Sequence, residues 1–254
     1  QAIRRIWEDI VCKKTYSTGG RGASGGNEGF QQPYHLPNMS AYCETCASVG
    51  NIMWNLRMFL YDGEAKYIDI LERALYNAFL SGVSLSGDRF FYPNVLESMG
   101  QHERSKWFGC ACCPPNVARL LPSLPGYVYA RSDQDIYVNL FIDNTATIDI
   151  GEEKVEIIQK TNYPWEGKVE ITVNPSKSGK FSLFVRIPGW AGNVAMPGNL
   201  YSFIDSLDNT VGLTLNGKSI DPKVEKGYAV LNRRWIPGDK LTIIFPLDIR
   251  KIIA

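Results

Sequence analysis

The stretch VGNIMWNLRMFLYDGEAKYIDILERALYNAF, residues 49–79, carries the clearest structural pattern of the chain. Apolar side chains recur at helical spacing in its first half and again in its second half. Between them lies Tyr61-Asp62-Gly63, with a glycine just past the last periodic position, where helices commonly end. The stretch therefore predicts a helical hairpin. The apolar positions are Val49, Met53, Leu56 and Leu60, followed by Ile68, Leu71, Leu75 and Phe79.

Helical patterns continue on both sides of this hairpin. The chain begins QAIRRIWEDIV, which is typical of the inside of an amphipathic helix. A further helix is predicted to start at Pro115, because proline suits the first helical turn, and to end near Pro122 or Pro125. Residues 1–128 are therefore predicted to form a helical domain.

Beyond residue 128 the period of the apolar residues changes to two. Short alternating segments, rich in β-branched and aromatic residues, follow one another with Gly, Pro and Asn turns between them, and Asn216-Gly217 is a hairpin signal. Residues 129–254 are therefore predicted to form an antiparallel β-sandwich, which makes the chain an α+β, multidomain protein. The predicted strands cover residues 136–142, 145–150, 154–160, 168–174, 181–188 and 241–249.

Composition and charge narrow the function classes. The chain has 254 residues, of which 44% are hydrophobic and 12% aromatic, so it is globular rather than disordered. The net charge of +1 provides no field that would attract nucleic acid or an anionic membrane surface. No segment approaches the roughly 20 uninterrupted apolar residues of a membrane-spanning helix. The chemistry is expected to come from a local site.

A glycine-rich segment, GGRGASGGNEGF at residues 19–30, interrupts the helical half. A phosphate-binding loop would end in Gly-Lys-Ser or Gly-Lys-Thr and would follow a strand, and this segment does neither. Two interpretations are left. The segment is a flexible loop, or its glycines let the backbone approach a ligand and carry Glu28 into a cleft.

All six cysteines lie in the first 113 residues, at positions 12, 43, 46, 110, 112 and 113. Such clustering argues against a disulfide framework and favours a metal site or a reactive thiol. Thr45 is a plausible N-cap, and Pro114 is expected to keep Cys113 out of the helical region, so two turns preceding helices could face each other. Three thiolates and one carboxylate suit zinc. The alternative is that these cysteines are small buried hydrophobic residues.

Carboxylates and histidines offer a second set of candidates. Glu28 and Glu44 could form the pair of acids that flanks a glycosidic bond in many sugar hydrolases, although any two glutamates can simply be surface charges. His35 and His102 are the only histidines. Each is a candidate ligand contact or a hydrogen-bonded loop or core residue.

Longer motifs extend over both halves of the chain. The β half contains RIPGWA at 186–191, LNGK at 215–218 and GDKLTIIFPLDIR at 238–250. The helical half contains Lys13-Lys14, Tyr16, Gly19-Gly20, Glu28, Leu36-Pro37-Asn38, Tyr42-x-Glu44-Thr45-Cys46-Ala47-Ser48 and Trp107-Phe108-x-Cys110-x-Cys112-Cys113-Pro114-Pro115-Asn116. Together these motifs resemble glycoside hydrolase family 127, the β-L-arabinofuranosidase family.

The resemblance implies a fold, a cofactor and a mechanism. Residues 1–128 would be the C-terminal part of an (α/α)6 barrel, and residues 129–254 a β-sandwich. Zinc would be held by Glu44, Cys46, Cys112 and Cys113. Cys112 would also be the nucleophile of a retaining glycosidase, with Glu28 as its acid/base. Tyr92 falls at the family's substrate-contacting tyrosine, and His35 is kept as a further substrate-binding candidate.

The substrate implied is β-linked L-arabinofuranose, or a related sugar, in plant glycans. An oligosaccharide or glycoside is thus the expected partner, with no nucleic acid and no membrane, and a homodimer is left open. The compartment is undetermined between bacterial cytoplasm and periplasm, since no signal is visible in the sequence. Because residues 1–128 hold only part of a barrel, the chain is expected to be a fragment that is inactive alone.

Two cysteines depart from the family pattern, and two other functions are left open. Cys43 and Cys110 are additional sulfurs that could compete for a metal. One rival is a two-carboxylate glycosidase in which the cysteines are structural. The other is a carbohydrate-binding fragment without catalysis, which exposed aromatic side chains on the β half would favour. The aromatic candidates are Trp165, Trp190 and Trp235, which are expected to pack in the core or at strand ends.

Overall fold

The structure is a computed structural model, and it describes residues 1–206 and 210–254. Its first half is helical. The predicted hairpin is confirmed, and Gly63 ends its first helix in the left-handed conformation, with φ of 66°. The helices are α1 (Ala2–Lys13), α2 (Thr45–Asp62), α3 (Ala65–Arg73), α4 (Cys113–Leu120) and α5 (Pro125–Val128); α3 continues through a π-helical turn (Ala74–Phe79) and a 3-10 turn (Leu80–Gly82), and a 3-10 turn (Leu121–Ser123) joins α4 to α5.

The second half consists of strands that form two large sheets and a small ribbon. The strands are β1 (Tyr129–Arg131), β2 (Asp135–Val138), β3 (Asn144–Ile150), β4 (Glu153–Thr161), β5 (Lys168–Pro175), β6 (Gly179–Arg186), β7 (Ser202–Phe203), β8 (Gly212–Leu215), β9 (Lys218–Ser219), β10 (Val224–Glu225), β11 (Tyr228–Trp235), β12 (Asp239–Ile244) and β13 (Ile252–Ile253). The sheet orders are β1-β2-β6-β11-β10, β3-β4-β5-β12-β8-β9 and β13-β7.

Both large sheets contribute to one apolar core, which is consistent with a β-sandwich. Alternate residues of β5 and β12, such as Ile171 and Leu241, face Leu183 of β6 and Ala229 of β11 across it. The prediction of a wholly antiparallel sandwich was wrong at one place, because β2 pairs with β6 in parallel. After β2 the chain forms β3, β4 and β5 of the other sheet before it returns as β6. Because this connection is long, β6 can lie beside β2 in the same direction.

The helices pack against the five-stranded sheet. The ring of Phe59 on α2 lies 5.9 Å from the Tyr137 ring and 6.0 Å from the Tyr228 ring. Buried Arg186 of β6 binds Asp69 of α3 at 2.7 Å and also pairs with Glu72. Apolar contacts and buried ion pairs thus join α2 and α3 to the five-stranded sheet. Of the described helices, none is long and apolar enough to cross a membrane.

Candidate metal centre and active site

Glu44 and Cys46 stand at the start of α2. Glu44 has φ and ψ of −55° and 140°, and the helix begins at the next residue. The N-cap prediction for Thr45 was wrong, because this threonine is the first helical residue and its hydroxyl donates to the Phe91 carbonyl at 2.8 Å. Its backbone N–H donates to the Tyr92 carbonyl at 3.0 Å. The helix start is therefore fixed by the segment around residue 92.

Cys112 and Cys113 stand at the start of α4. The prediction of non-helical backbone was wrong, since Cys112 has helical φ and ψ of −75° and −34° and α4 begins at Cys113, two residues before the predicted Pro115. Prolines in the first turn lack only N–H groups that have no helical partner there. The Asn116 N–H closes that turn on the Cys112 carbonyl at 3.2 Å. The restriction that Pro114 imposes on its neighbour is a preference, and local packing overrides it here.

The two helix starts bring four possible metal ligands together. One ligand atom each from Glu44, Cys46, Cys112 and Cys113 lies within 4.8 Å of all the others. The Cys46 and Cys113 sulfurs are 3.5 Å apart, and those of Cys112 and Cys113 are 3.9 Å apart. Glu44 Oε1 lies 3.4 Å from the Cys112 sulfur and 3.7 Å from the Cys113 sulfur. This arrangement can hold one small cation.

Burial works against ionisation of these thiols on their own. It raises the pKa of Cys46 to about 12 and raises that of the fully buried Cys113 as well. The amide of Asn116 opposes this shift by donating to the Cys46 sulfur at 3.2 Å. A group of desolvated thiols beside a carboxylate is thus suited to a cation that would replace the protons.

Cys112 and Cys46 are half-buried, whereas Glu44 and Cys113 are buried. Cys112 also faces Tyr92. The thiol donates to the Tyr92 hydroxyl at 2.9 Å, and this hydrogen bond is the main cause that raises the pKa of Tyr92. The Tyr92 ring packs edge-on against Phe108, with ring centroids 5.3 Å apart. Tyr92 therefore lies directly beside the Cys112 sulfur.

Glu28 lies in the glycine-rich segment, exposed to solvent, in the left-handed conformation with φ of 50°. The Tyr42 hydroxyl donates to Glu28 Oε1 at 3.1 Å, and the rings of Tyr42 and Tyr92 are 6.3 Å apart. The Tyr42 ring lies under the glycines, since a Cβ on Gly25 would come within 3.2 Å of it. Glu28 is thus linked through the Tyr42 hydroxyl to a pair of tyrosine rings, of which Tyr92 contacts the Cys112 sulfur.

Three residues at or beside the cluster were not predicted from the sequence as site residues: Tyr42, Asn94 and Asn116. Buried Asn94 donates to the Cys43 carbonyl at 2.9 Å and to the Thr45 hydroxyl at 3.0 Å, so it braces the turn before α2. Asn116 follows Cys112 by four residues, and this spacing of one helical turn is a signal that could have identified it.

The other candidates lie apart from the cluster. Cys110 is exposed, and Cys43 is buried with its sulfur against Gly20, so neither belongs to the group of four ligands. His35 lies in an exposed loop, where its backbone N–H donates to the Gln32 carbonyl at 3.2 Å. His102 stacks on Phe91 with ring centroids 4.5 Å apart. A substrate contact for His35 stays a prediction.

Comparison with known proteins bears on both halves of the chain. Residues 1–126 match the profile of the β-L-arabinofuranosidase GH127 catalytic domain, and residues 135–247 match that of the GH127 middle domain. A non-reducing end β-L-arabinofuranosidase of Bifidobacterium longum subsp. longum is 36% identical, over 96% of this chain and 36% of its own length.

Solved structures agree with these matches. A GH127 β-arabinofuranosidase superposes with a TM-score of 0.97 at 46% identity, over all of this chain and 40% of its own. A GH127 β-L-arabinofuranosidase from Geobacillus stearothermophilus superposes with a TM-score of 0.87 at 38% identity, over 97% of this chain and 38% of its own. This chain thus spans less than half the length of these relatives, and its sequence and fold show that it belongs to glycoside hydrolase family 127.

Proposed function

We propose that the protein is a retaining glycoside hydrolase that removes β-linked L-arabinofuranose, or a closely related sugar, from plant glycans, with Cys112 as nucleophile and Glu28 as acid/base. The observation that carries the proposal is the convergence of three thiols and one carboxylate, with the half-buried Cys112 thiol hydrogen-bonded to Tyr92. Membership of GH127 supports the reaction class and the sugar. The helices of residues 1–128 are proposed to be part of an (α/α)6 barrel.

The donor set fits zinc. Bonds of about 2.3 Å to sulfur and about 2.0 Å to oxygen in a tetrahedron would separate two sulfurs by about 3.8 Å and a sulfur from an oxygen by about 3.5 Å. The observed separations of 3.5 and 3.9 Å between sulfurs, and of 3.4 and 3.7 Å between sulfur and Glu44 Oε1, bracket these values. Glu44, Cys46, Cys112 and Cys113 would hold the ion. When bound, it would supply the positive charge that keeps the buried sulfurs deprotonated near neutral pH.

The first half of the proposed reaction forms a bond between the Cys112 sulfur and the anomeric carbon of the sugar. The bond from that carbon to the leaving oxygen breaks, and Glu28 donates its proton to this oxygen. Tyr92, 2.9 Å from the sulfur, donates its hydroxyl hydrogen to the thiolate or to a sugar hydroxyl and so orients the pair. His35 is proposed as a more distant sugar contact.

The second half returns the enzyme to its starting state. The Glu28 carboxylate accepts a proton from water, the water oxygen attacks the anomeric carbon, and the bond to the Cys112 sulfur breaks. Since each half inverts the anomeric carbon, the product retains the configuration of the substrate. The Tyr42 hydroxyl, 3.1 Å from Glu28 Oε1, keeps this carboxyl group aimed at the site while its proton is transferred twice.

The two-carboxylate alternative is disfavoured by the position of Glu44. This side chain is buried, and its Oε1 lies within 3.7 Å of two sulfurs, so it belongs to the cluster rather than to an open cleft. A second carboxylate for sugar hydrolysis would need access to water or to the anomeric carbon. Cys112 is less buried than Glu44 and lies beside Tyr92.

Covalent labelling tests the nucleophile. A β-L-arabinofuranose-configured epoxide is expected to add once per chain, with the adduct on Cys112 in peptide mass mapping. Labelling should be lost in Cys112→Ser and kept in Cys110→Ser, because Cys110 is an exposed cysteine outside the cluster. Hydrolysis of an aryl β-L-arabinofuranoside by the enzyme should fall on the order of 10³-fold or more in Cys112→Ser. An adduct on Glu28 or Glu44 instead would overturn the cysteine mechanism.

A further inference from the structure

A second cleft lies between the helical half and the β-sandwich, apart from the cysteine cluster. Its volume is about 650 Å³, within the range of small-molecule sites. None of its lining residues is one of the four candidate metal ligands. One wall is the outer side of α3 and the turn that follows it, and the other consists of the loop after β4 and the loop after β6.

Aromatic side chains dominate the β-sandwich wall of this cleft. Trp165, in the turn between β4 and β5, is 88% exposed, whereas Trp235 is fully buried and its indole N–H donates to the Phe181 carbonyl at 3.1 Å. The expectation that Trp165 packs in the core or at a strand end was therefore wrong, because its side chain is almost fully exposed. Trp190 is half-buried at the cleft and leans on Phe245, with ring centroids 5.9 Å apart. A flat indole surface is thus presented to solvent next to a second indole.

Aromatic side chains of the cleft also offer hydrogen-bond donors to a ligand. Within residues 1–206 and 210–254, the indole N–H groups of Trp165 and Trp190 and the Tyr76 hydroxyl have no hydrogen-bond partner. Burial raises the pKa of Tyr76 to about 12, so this hydroxyl stays protonated near neutral pH. Three donors beside two aromatic faces match a ligand that alternates C–H surfaces with hydroxyl groups.

The charges at the floor of the cleft are already balanced. Asp69 and Glu72 both pair with Arg186, and Arg73 donates to the backbone carbonyls of Ser17 and Ala195. Two carboxylates and two guanidinium groups give the floor no net charge, and the Arg73 guanidinium is engaged with backbone carbonyls. A neutral ligand fits this environment, whereas a phosphate or a polyanion would meet the charge of Arg73 alone, beside two carboxylates.

We propose that this cleft is a second glycan-binding site, which takes a neutral oligosaccharide with its sugar rings against Trp165 and Trp190. Sugar hydroxyls accept hydrogen bonds from the two indole N–H groups and from the Tyr76 hydroxyl. The choice of a sugar over another neutral ligand rests on the proposed glycosidase function; the location of the site rests on the cleft alone. Its role is to hold a glycan on the enzyme outside the site of bond cleavage.

A neighbouring groove gives the bound glycan a route toward the catalytic side. It shares Tyr76, Asn77 and Leu80 with the cleft and extends to Asn94, the residue that braces the turn before α2. A chain of sugars laid along the turn after α3 would therefore run from Trp165 toward the rim of the cluster. The ligand expected is thus an oligosaccharide of several residues rather than a monosaccharide.

Binding is tested directly on this chain with neutral arabinotriose as probe, using ¹⁵N NMR of the six tryptophan indole groups. The indole signals of Trp165 and Trp190 are expected to shift. Trp165→Ala should weaken binding by about tenfold or more, the usual scale for a stacked tryptophan anchor. Trp190→Phe should weaken it less and guards against misfolding, since Trp190 is half-buried. Tyr61→Ala, which removes a 72% exposed aromatic residue elsewhere, should leave affinity unchanged.

Two further arms separate this proposal from the catalytic one. Cys112→Ser is expected to bind the trisaccharide as the parent chain does. If Cys112 labelling fails while the indole shifts persist, the catalytic proposal falls and the second site stands. Absence of shifts at saturating probe, or affinity unchanged in both tryptophan variants, overturns the second site. Tighter binding of an acidic oligogalacturonide than of arabinotriose would overturn its assignment to neutral glycans.

Discussion

The sulfur of Cys46 lies 3.5 Å from the sulfur of Cys113, although 67 residues separate them in the sequence. Each cysteine stands in the first turn of a helix, Cys46 in α2 and Cys113 in α4. The positive ends of two helix dipoles therefore point at one place, which favours anionic sulfur there. The proposed metal ligands are thus positioned by the packing of the two helix starts.

Metal content is the first prediction that follows from this convergence. The purified, reduced protein is expected to contain one zinc ion per chain by mass spectrometric elemental analysis. Cys113→Ser removes a buried donor and should lower zinc affinity by about tenfold to a hundredfold or more, whereas Cys110→Ser should retain full occupancy. Chelation should lower the melting temperature of the parent by more than that of Cys113→Ser. A zinc affinity of Cys113→Ser equal to that of the parent, measured by competition with a chelator, would contradict the assignment.

The hydrogen bond from Tyr42 to Glu28 predicts a dependence on the leaving group. In the enzyme, Tyr42→Phe should slow hydrolysis of alkyl arabinofuranosides by roughly fivefold to tenfold, the rate equivalent of one hydrogen bond. Acidic phenols depart without protonation, so aryl substrates with such leaving groups should be nearly unaffected. Tyr34→Phe, at an exposed tyrosine of the neighbouring loop, serves as the control. Equal losses for both substrate types would show that Tyr42 does not act through Glu28.

Local sequence patterns predicted the regular elements well, because those patterns depend on neighbours along the chain. The i, i+4, i+7 spacing from Val49 onward and the stop at Gly63 correspond to α2, and the alternating segments at 145–150 and 168–174 correspond to β3 and β5. Strand β11 (Tyr228–Trp235) was missed. Its second half carries Asn232, Arg233 and Arg234 in succession, which hides the alternation of its buried half.

The candidate site shows where local rules stop. The set of four ligands followed from the family resemblance, but the backbone around it did not follow from Thr45 as a cap or from the restriction before Pro114. Both rules consider only adjacent residues, whereas Thr45 is held by the hydrogen bonds that it donates to the carbonyls of residues 91 and 92. The sequence also did not show which tryptophans are buried, since the exposure of Trp165 and the burial of Trp235 depend on what the fold packs against each side chain.

Gly82 and Gly50 predict opposite effects of the same substitution. A Cβ at Gly82 would overlap the Thr45 hydroxyl, so Gly82→Ala should disturb the turn that carries Glu44 and Cys46 and should weaken zinc binding. Gly50 lies on the exposed side of α2 with open space around its Cα, and Gly50→Ala should stabilise the helix by about 0.5–1 kcal/mol. Urea unfolding and zinc titration of both variants provide the comparison. A zinc affinity in Gly82→Ala equal to that of Gly50→Ala would contradict the close packing at Thr45.

Asp62 predicts how stability depends on pH. The Arg4 guanidinium holds the pKa of this carboxyl group below its ordinary value, and Tyr67 donates to it at 2.6 Å, so one buried side chain ties α1, α2 and α3 together. A pKa that is lower in the folded state contributes stability above the unfolded value of about 4, and this contribution is lost as pH falls through the folded value. Asp62→Asn should therefore lower the free energy of unfolding by about 1–3 kcal/mol at pH 7, with a deficit that shrinks below pH about 4.

Asp9→Asn, at an exposed ion pair with Lys13, serves as the control and should change the free energy of unfolding by less than about 1 kcal/mol. A deficit for Asp62→Asn that stays constant from pH 7 to pH 3 in urea unfolding would show that the carboxylate is not the stabilising form.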